Sequence, residues 1–204
     1  MRRSFLHPIP QIEVAINYLA ETADFLLARN PEEASNSLVK ADIKEIAEFY
    51  QLVAGSTKHP IHWQHRQPKS IPLKDRVECR MPSLKVEEFI FNRDGWKCRF
   101  CATRVVSRRA RKILIKLFPQ ETHWVTKEYD RHAALHCQAA SLDHILPHSR
   151  GGNNSETNLV TACGPCQFGR NQWTIEEVGF FDPREYPPLM DEWDGLSRID
   201  ALKT

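Results

Sequence analysis

Apolar residues recur at helical spacing along the first quarter of the chain. Within ADIKEIAEFYQLVAG they lie three or four residues apart, between the candidate cap Asp42 and the natural helix stop Gly55. Asn30 followed by Pro31 marks another helix start, because asparagine caps helices and proline fits their first turn. The pattern predicts a helical N-terminal region over residues 1–55. Its apolar positions in this stretch are Ile43, Ile46, Ala47, Tyr50 and Val53.

Residues 56–83 have a different composition, rich in proline, histidine and basic side chains. Such a stretch predicts an extended connector that is solvated or faces a nucleic acid. His59, His62 and His65 are spaced by three residues, which raises the idea of a second metal site. The prolines argue against the regular helix that would align these histidines, so a surface loop is favoured.

Short helices are predicted on both sides of a first cysteine pair. Ser83 can cap a helix that passes through Phe89 and Ile90 and ends near Gly95. Beyond the cysteines, an apolar stripe recurs at helical spacing, and the arginines and lysines fall mainly on the other side. The region 102–140 is predicted as a partly helical insertion. The stripe consists of Val106, Ala110, Ile113, Leu114 and Leu117.

A strand, a loop, a second strand and a helix are predicted after residue 140. SLDHIL and NLVTA are the strands, the loop between them has Gly151 and Gly152 for tight turns, and Pro165 opens the helix. This hairpin and helix complete a module over residues 84–182, which is followed by a C-terminal tail at 183–204. With the helical front, the pattern predicts an α+β protein.

Length and composition allow one domain, or one with a small appendage: the chain has 204 residues, of which 41% are apolar. No window approaches the roughly 20 apolar residues of a membrane span, so we expect a soluble, cytoplasmic protein. The net charge of +2 does not indicate a nucleic-acid binder, but residues 97–116 contain eight basic residues and no acidic one. Arg108, Arg109 and Lys112 there are candidate phosphate contacts, with a solvated helix face as the equal alternative.

Four of the six cysteines form two CxxC pairs, Cys98/Cys101 and Cys163/Cys166. Two such pairs can supply all four thiolates of a closed, structural Zn²⁺ site, which suits a chain without an export signal better than disulfides do. Cys79 and Cys137 have no paired neighbour, so packing or a free thiol is the favoured interpretation.

Asp143 and His144 lie between the two pairs, and Asn158 lies five residues before the second. The segments RDGWKCRFC, LDHILPHSRGG and NLVTACGPC resemble the HNH endonuclease family over about residues 92–180, and the resemblance implies a ββα-metal fold. It also implies His144 as general base, Asp143 as ligand of Mg²⁺ or Mn²⁺, and Asn158 as the residue that holds the loop and orients His144.

The third motif position departs from the family, which usually has His or Asn there as a metal ligand. Here it is Gln167, whose extra methylene displaces the oxygen, and Asn171 one turn later is a possible substitute. Arg170 matches a basic position of the family's helix and is predicted to pair with a phosphate. His148 could contact the cation or the substrate, or lie at the surface.

The predicted function is metal-dependent endonucleolytic cleavage of DNA, with double-stranded DNA as the expected partner and structural Zn²⁺ plus catalytic Mg²⁺ or Mn²⁺ as cofactors. One alternative is a non-catalytic, zinc-stabilised nucleic-acid-binding module, which Gln167 would favour if it has disabled cation binding. Another is a protein-interaction module, in which the N-terminal helical region binds a partner or a second copy of the chain.

Overall fold

Three helices form the N-terminal part of the protein. The structure is a computed structural model that describes residues 3–54, 70–77, 81–127 and 130–202. The helices are α1 (Pro10–Leu27), α2 (Pro31–Ala41) and α3 (Lys44–Ala54). Asn30 caps α2 as predicted, because its side chain accepts a hydrogen bond from the backbone N–H of Glu33. Asp42 does not cap α3; its carboxylate accepts a hydrogen bond from the backbone N–H of Ala133 instead, at 2.6 Å.

Helix α3 packs against the helix that begins within the second cysteine pair, α8 (Gly164–Arg170). The approach is close at Gly169, where an added Cβ would lie 2.8 Å from the backbone oxygen of Val53. Only a residue without a side chain allows this distance. The N-terminal helices and the region around the cysteines therefore share one hydrophobic core.

Helix α4 (Leu84–Arg93) begins at the predicted cap Ser83 and ends beside Gly95, whose φ is +63°. Asp94, which is almost fully buried, accepts a hydrogen bond from the backbone N–H of Thr161 at 2.8 Å. Arg93 donates to the backbone oxygens of Glu156 and Leu159 at 2.7 and 2.8 Å. The end of α4 is thus joined by hydrogen bonds to the second strand of the hairpin.

The region 102–140 is partly helical, with α5 (Arg108–Leu117), α6 (Pro119–Thr122) and α7 (Ala133–Cys137). The predicted stripe of α5 is buried at Ala110, Ile113 and Leu114, whereas Leu117 is 40% exposed.

Strands β1 (Ser141–His144) and β2 (Leu159–Ala162) form an antiparallel pair in which Asp143 lies opposite Val160. Helix α8 follows β2 directly, and Pro165 lies in its first turn as predicted. The order strand, loop, strand, helix is therefore the predicted one, and the α+β class is confirmed.

Residues 183–202 contribute to the core. Leu196 and Ile199 are fully buried, and the indole N–H of Trp193 donates to the backbone oxygen of Val105 at 2.8 Å. A 3₁₀ turn at Ser197–Ile199 contacts both α1 and α5. Among the described residues, no helix combines the length and hydropathy that a membrane span requires.

The described part of the connector lies along the loop that follows β1. The backbone N–H of Ile71 donates to the backbone oxygen of Ser149 at 2.8 Å, and a 3₁₀ turn follows at Leu73–Asp75. The three histidines predicted as a second metal site, His59, His62 and His65, lie outside the described residues, as does Cys79.

Candidate functional site

The two cysteine pairs come together in space. The sulfur atoms of Cys98, Cys101, Cys163 and Cys166 all lie within 4.8 Å of one another, and those of Cys101 and Cys163 are 3.6 Å apart. We call these four residues the cysteine cluster. A tetrahedral zinc site with Zn–S bonds of about 2.3 Å places neighbouring sulfurs about 3.8 Å apart, so the spacing fits.

Backbone hydrogen bonds fix both halves of the cysteine cluster. The N–H of Ala102 donates to the oxygen of Cys98 at 2.8 Å, in a tight turn where Ala102 has a φ of +67°. The N–H of Arg99 donates to the oxygen of Thr161 in β2, also at 2.8 Å. The second pair opens α8. Both pairs are therefore held against the hairpin.

The chemistry of the cysteine cluster suits a cation. Hydrogen bonds from the Cys163, Cys166 and Cys98 thiols lower the pKa of Cys101, and thiolates packed this closely need a positive charge between them. The four could hold a zinc ion, which would leave no open position for catalysis. Cys137 is different, because burial raises the pKa of its thiol and keeps it neutral.

Asp143, at the end of β1, forms a buried ion pair with Arg170. The guanidinium donates from Nη2 to Oδ1 at 2.6 Å and from Nε to Oδ2 at 3.1 Å, and a further bond reaches the backbone oxygen of His144 at 2.6 Å. Burial raises the pKa of Asp143, while Arg170 acts against that rise. Arg170 itself is 0% exposed. The prediction that it pairs with a phosphate is corrected here, because its guanidinium is buried against Asp143.

His144 follows Asp143 and is nearly buried. Its Nε2 atom lies 2.9 Å from Oδ1 of Asn154, a residue that the sequence pattern did not single out. This contact orients the imidazole ring of His144 within the cleft. The signal that could have found Asn154 is its place in GGNNSET, between the two motif positions His144 and Asn158.

Asn158 connects both ends of the loop between the strands. Its Oδ1 accepts from the backbone N–H of Leu146 at 2.9 Å, and its Nδ2 donates to the backbone oxygens of Leu146 and Asn153 at 3.2 and 2.8 Å. The loop is further tightened at Gly152, where an added Cβ would overlap the oxygen of Leu146. Asn158 therefore positions the segment that contains Asn154, the hydrogen-bond partner of His144.

The Gln167 side chain is bound to β1 at both ends of its amide. Its Oε1 accepts from the hydroxyl of Ser141, and its Nε2 donates to the backbone oxygen of Leu142 at 3.1 Å. Asn171 follows α8 with a positive φ of +51°. Both residues line the same cleft as Asp143 and His144.

That cleft has a volume of about 230 Å³. His148 lies in it, with its Nε2 2.8 Å from the backbone oxygen of Val77 and its ring 6.3 Å from that of His144. Arg76 and Phe168, which the sequence pattern did not single out, also line this cleft. The residues that line the cleft are Arg76, Met81, Leu142, Asp143, His144, Pro147, His148, Ser149, Gln167, Phe168, Asn171 and Gln172.

The predicted basic contacts on α5 lie elsewhere. Arg108, Arg109 and Lys112 are exposed, but none of them lines the cleft. Helix α5 mainly contacts α6 and the turn at Ser197–Ile199, and Arg109 donates to the backbone oxygen of Asp200 at 3.0 Å. The structure thus brings together the motif residues but not these three.

Comparison with known proteins agrees with the motif. No curated protein and no solved structure matches the chain. One family model, described as HNH endonuclease, matches residues 130–167, a stretch that contains Asp143, His144 and Asn158. This match confirms that the chain resembles the HNH endonuclease family.

Proposed function

We propose that the protein is a metal-dependent endonuclease that hydrolyses phosphodiester bonds in DNA. The observation that carries the proposal is the meeting of Asp143 and His144 in one cleft, on a hairpin whose second strand is hydrogen-bonded to the first cysteine pair and to the end of α4. The match to the HNH endonuclease model supports a nuclease-type function over this same stretch.

His144 is proposed as the general base. Asn154 lies within hydrogen-bond distance of its Nε2 and orients the ring. A neutral imidazole can accept the proton of an attacking water near neutral pH. Asn154 and Asn158 act as positioning residues, because one holds the ring and the other holds the loop.

Asp143 is proposed as the main ligand of a catalytic Mg²⁺ or Mn²⁺, with Gln167 or Asn171 as further oxygen donors. The donor set fits a hard cation, since an ionised carboxylate has about four acceptor positions and the two hydrogen bonds from Arg170 leave others open. When bound, the cation would polarise the scissile phosphate and stabilise the leaving oxygen. Arg170 favours the ionised form of Asp143 and fixes its orientation.

DNA binding is proposed to rest on phosphate contacts, which give little sequence preference. The exposed face of α5, with Arg108, Arg109 and Lys112, is proposed as a contact outside the cleft. Its side chains are exposed and the helix has no acidic residue, so the positive potential there is suited to a phosphate backbone.

The test is cleavage of supercoiled plasmid by zinc-loaded protein with added Mg²⁺, with added Mn²⁺ or with neither. We expect nicking or linearisation that needs the added metal and that falls at least 100-fold in His144→Ala, the usual scale for loss of a general base. His7→Ala, at an exposed histidine outside the cleft, is the matched control and should cleave like the wild type. Equal cleavage by His144→Ala at an unchanged melting temperature would refute the role of His144.

A second candidate is a non-catalytic DNA-binding module. It is favoured by the state of Gln167, whose amide is already engaged with Ser141 and Leu142 rather than turned toward a cation. This alternative expects salt-sensitive DNA binding without cleavage in any metal. Gln167→His, which restores the usual family residue, should then produce metal-dependent cleavage where the wild type has none.

A further inference from the structure

Helix α8 has one exposed side chain, and it belongs to a phenylalanine that lines the cleft. Phe168 is 53% exposed, whereas the other residues of α8 are buried or half-buried. It follows Gln167 and lines the cleft with Asp143 and His144. Single exposed apolar side chains are common on protein surfaces, so it is the position of Phe168 in the same cleft as the motif residues that suggests a role.

An arginine from the connector lines the same cleft. The Nε of Arg76 donates to the backbone oxygen of Ile71 at 3.0 Å, while the described part of the chain offers its two terminal nitrogens no hydrogen bond. The segment that carries Arg76 is fixed on both sides, by the bond from Ile71 to Ser149 and by the bond between His148 and Val77. The guanidinium is therefore held at the cleft, and its two terminal nitrogens can donate hydrogen bonds to a ligand.

We infer that Phe168 and Arg76 form a nucleotide subsite: a base of the substrate stacks on Phe168, and an adjoining phosphate pairs with Arg76. An exposed aromatic ring beside a basic side chain is the combination by which proteins bind unpaired nucleotides, since every base has a face that can stack. The inference rests on the proposed function, and it deepens it.

The subsite defines a class of substrate. In paired DNA both faces of a base are covered by its neighbours, so a base can stack on Phe168 only where the strand is unpaired or a nucleotide is turned out of the helix. The protein therefore prefers DNA with an unpaired nucleotide near the scissile phosphate, such as a single strand, a flap or a mismatch. The expected partner is therefore not double-stranded DNA in general but DNA that contains an unpaired nucleotide.

Binding by zinc-loaded protein without added Mg²⁺ or Mn²⁺ tests the subsite without hydrolysis. The probe is a short oligothymidylate with one 2-aminopurine, whose fluorescence is quenched when it stacks. We expect quenching by the wild type, and in Phe168→Ala a loss of quenching with binding weaker by about tenfold. Phe168→Trp should restore both. Phe89→Ala, at a phenylalanine of α4 that is 48% exposed, is the matched control and should behave like the wild type. Arg76→Gln should reduce the salt dependence of binding by about one ion.

Cleavage rates complete the test and separate the two proposals. With Mg²⁺ or Mn²⁺, a mismatched duplex should be cut faster than the same duplex fully paired, and Phe168→Ala should remove that difference. Unchanged quenching and affinity in Phe168→Ala, or equal rates on both duplexes, would overturn the subsite even if cleavage occurs. If quenching depends on Phe168 but no DNA is cleaved, the nuclease proposal is refuted and the subsite is supported.

Discussion

The ion pair between Arg170 and Asp143 shows how one side chain organises the end of β1. Arginine offers five N–H donors in a planar fork, and here they reach both carboxylate oxygens and the backbone oxygens of His144 and Trp173. Its guanidinium also lies 5.7 Å from the ring centre of Phe100. No other residue type could satisfy all of these acceptors, so Arg170 is a structural requirement of the site.

Arg170→Met should be strongly destabilising, because it leaves the buried carboxylate of Asp143 without a partner. The expected cost is about 3–5 kcal/mol in the free energy of unfolding, measured by urea denaturation of the zinc-loaded protein. Asp143→Asn in the same chain removes the unpaired charge and should recover a large part of that loss. A double variant no more stable than Arg170→Met would contradict this account of the pair.

The burial of Arg170 could not be predicted from its sequence neighbourhood. Helix α8 has only seven residues, too few for a reliable apolar period, and a basic residue near its end suggests a solvated or phosphate-binding side chain. What buries Arg170 is the packing of α8 against α3 and β1, which is a long-range property. Asn154 was missed for the same reason, since its contact with His144 exists only once the loop has folded.

The hairpin is held along the outer edge of β2 by elements that precede it in the chain. Asp94 and Arg93 at the end of α4 bind β2, and the turn of the first cysteine pair binds it through Arg99. Two four-residue strands alone would be marginal in water. The stability of the hairpin therefore depends on the cysteine cluster and on α4.

Removal of zinc should unfold this half of the protein. We expect one zinc per chain in the wild type and a large fall in melting temperature after chelation, since binding energy of a structural zinc is folding energy. Cys163→Ser should reproduce the loss of both metal and stability. Cys137→Ala, at a buried cysteine outside the cluster, is the control and should keep its zinc. An unchanged melting temperature after verified zinc removal would refute the structural role.

For helices and strands, the sequence was informative where an element is determined by neighbouring residues. Both strands, the cap at Ser83 and the opening of α8 at Pro165 follow from a few neighbouring residues, and all were predicted. The meeting of Arg76 and Phe168 in one wall of the cleft was not predicted. It brings together residues from the connector and α8, far apart in the chain, and no local pattern specifies their meeting.

The molecule as a whole is joined across its length by polar contacts as well as by its core. Arg198 near the C-terminal end pairs with Asp24 of α1 at 2.9 Å. Asp42, after α2, accepts hydrogen bonds from the backbone of Ala133 and from His123 at 2.6 and 2.7 Å. The N-terminal helices are therefore tied to the region that precedes the site, and Asp42 lies at that junction.

The junction at Asp42 should make stability depend on pH through His123. Burial lowers the pKa of His123, but its hydrogen bonds to the Asp42 carboxylate and to the backbone oxygen of Asp130 outweigh burial and raise it above 6.5. The neighbouring His132 is buried, and burial lowers its pKa, which favours its neutral form. A raised pKa in the folded state means that protonated His123 stabilises the fold below its ordinary pKa, and that this contribution disappears as the pH rises through the raised value.

His123→Asn tests this dependence, because asparagine cannot be protonated and tolerates the left-handed backbone at this position, where φ is +30°. We expect the wild type to exceed the variant in free energy of unfolding most clearly below pH 6.5, and the gap to shrink as the pH rises above it. Urea denaturation of zinc-loaded protein between pH 5.5 and 8.5 measures the gap, and titration of the cysteine cluster cancels because both proteins share it. His7→Asn, at an exposed histidine, should show no such trend. A gap that is constant or grows with pH would mean that the bond to Asp42 does not depend on a protonated imidazole, and that the junction is held by neutral hydrogen bonds alone.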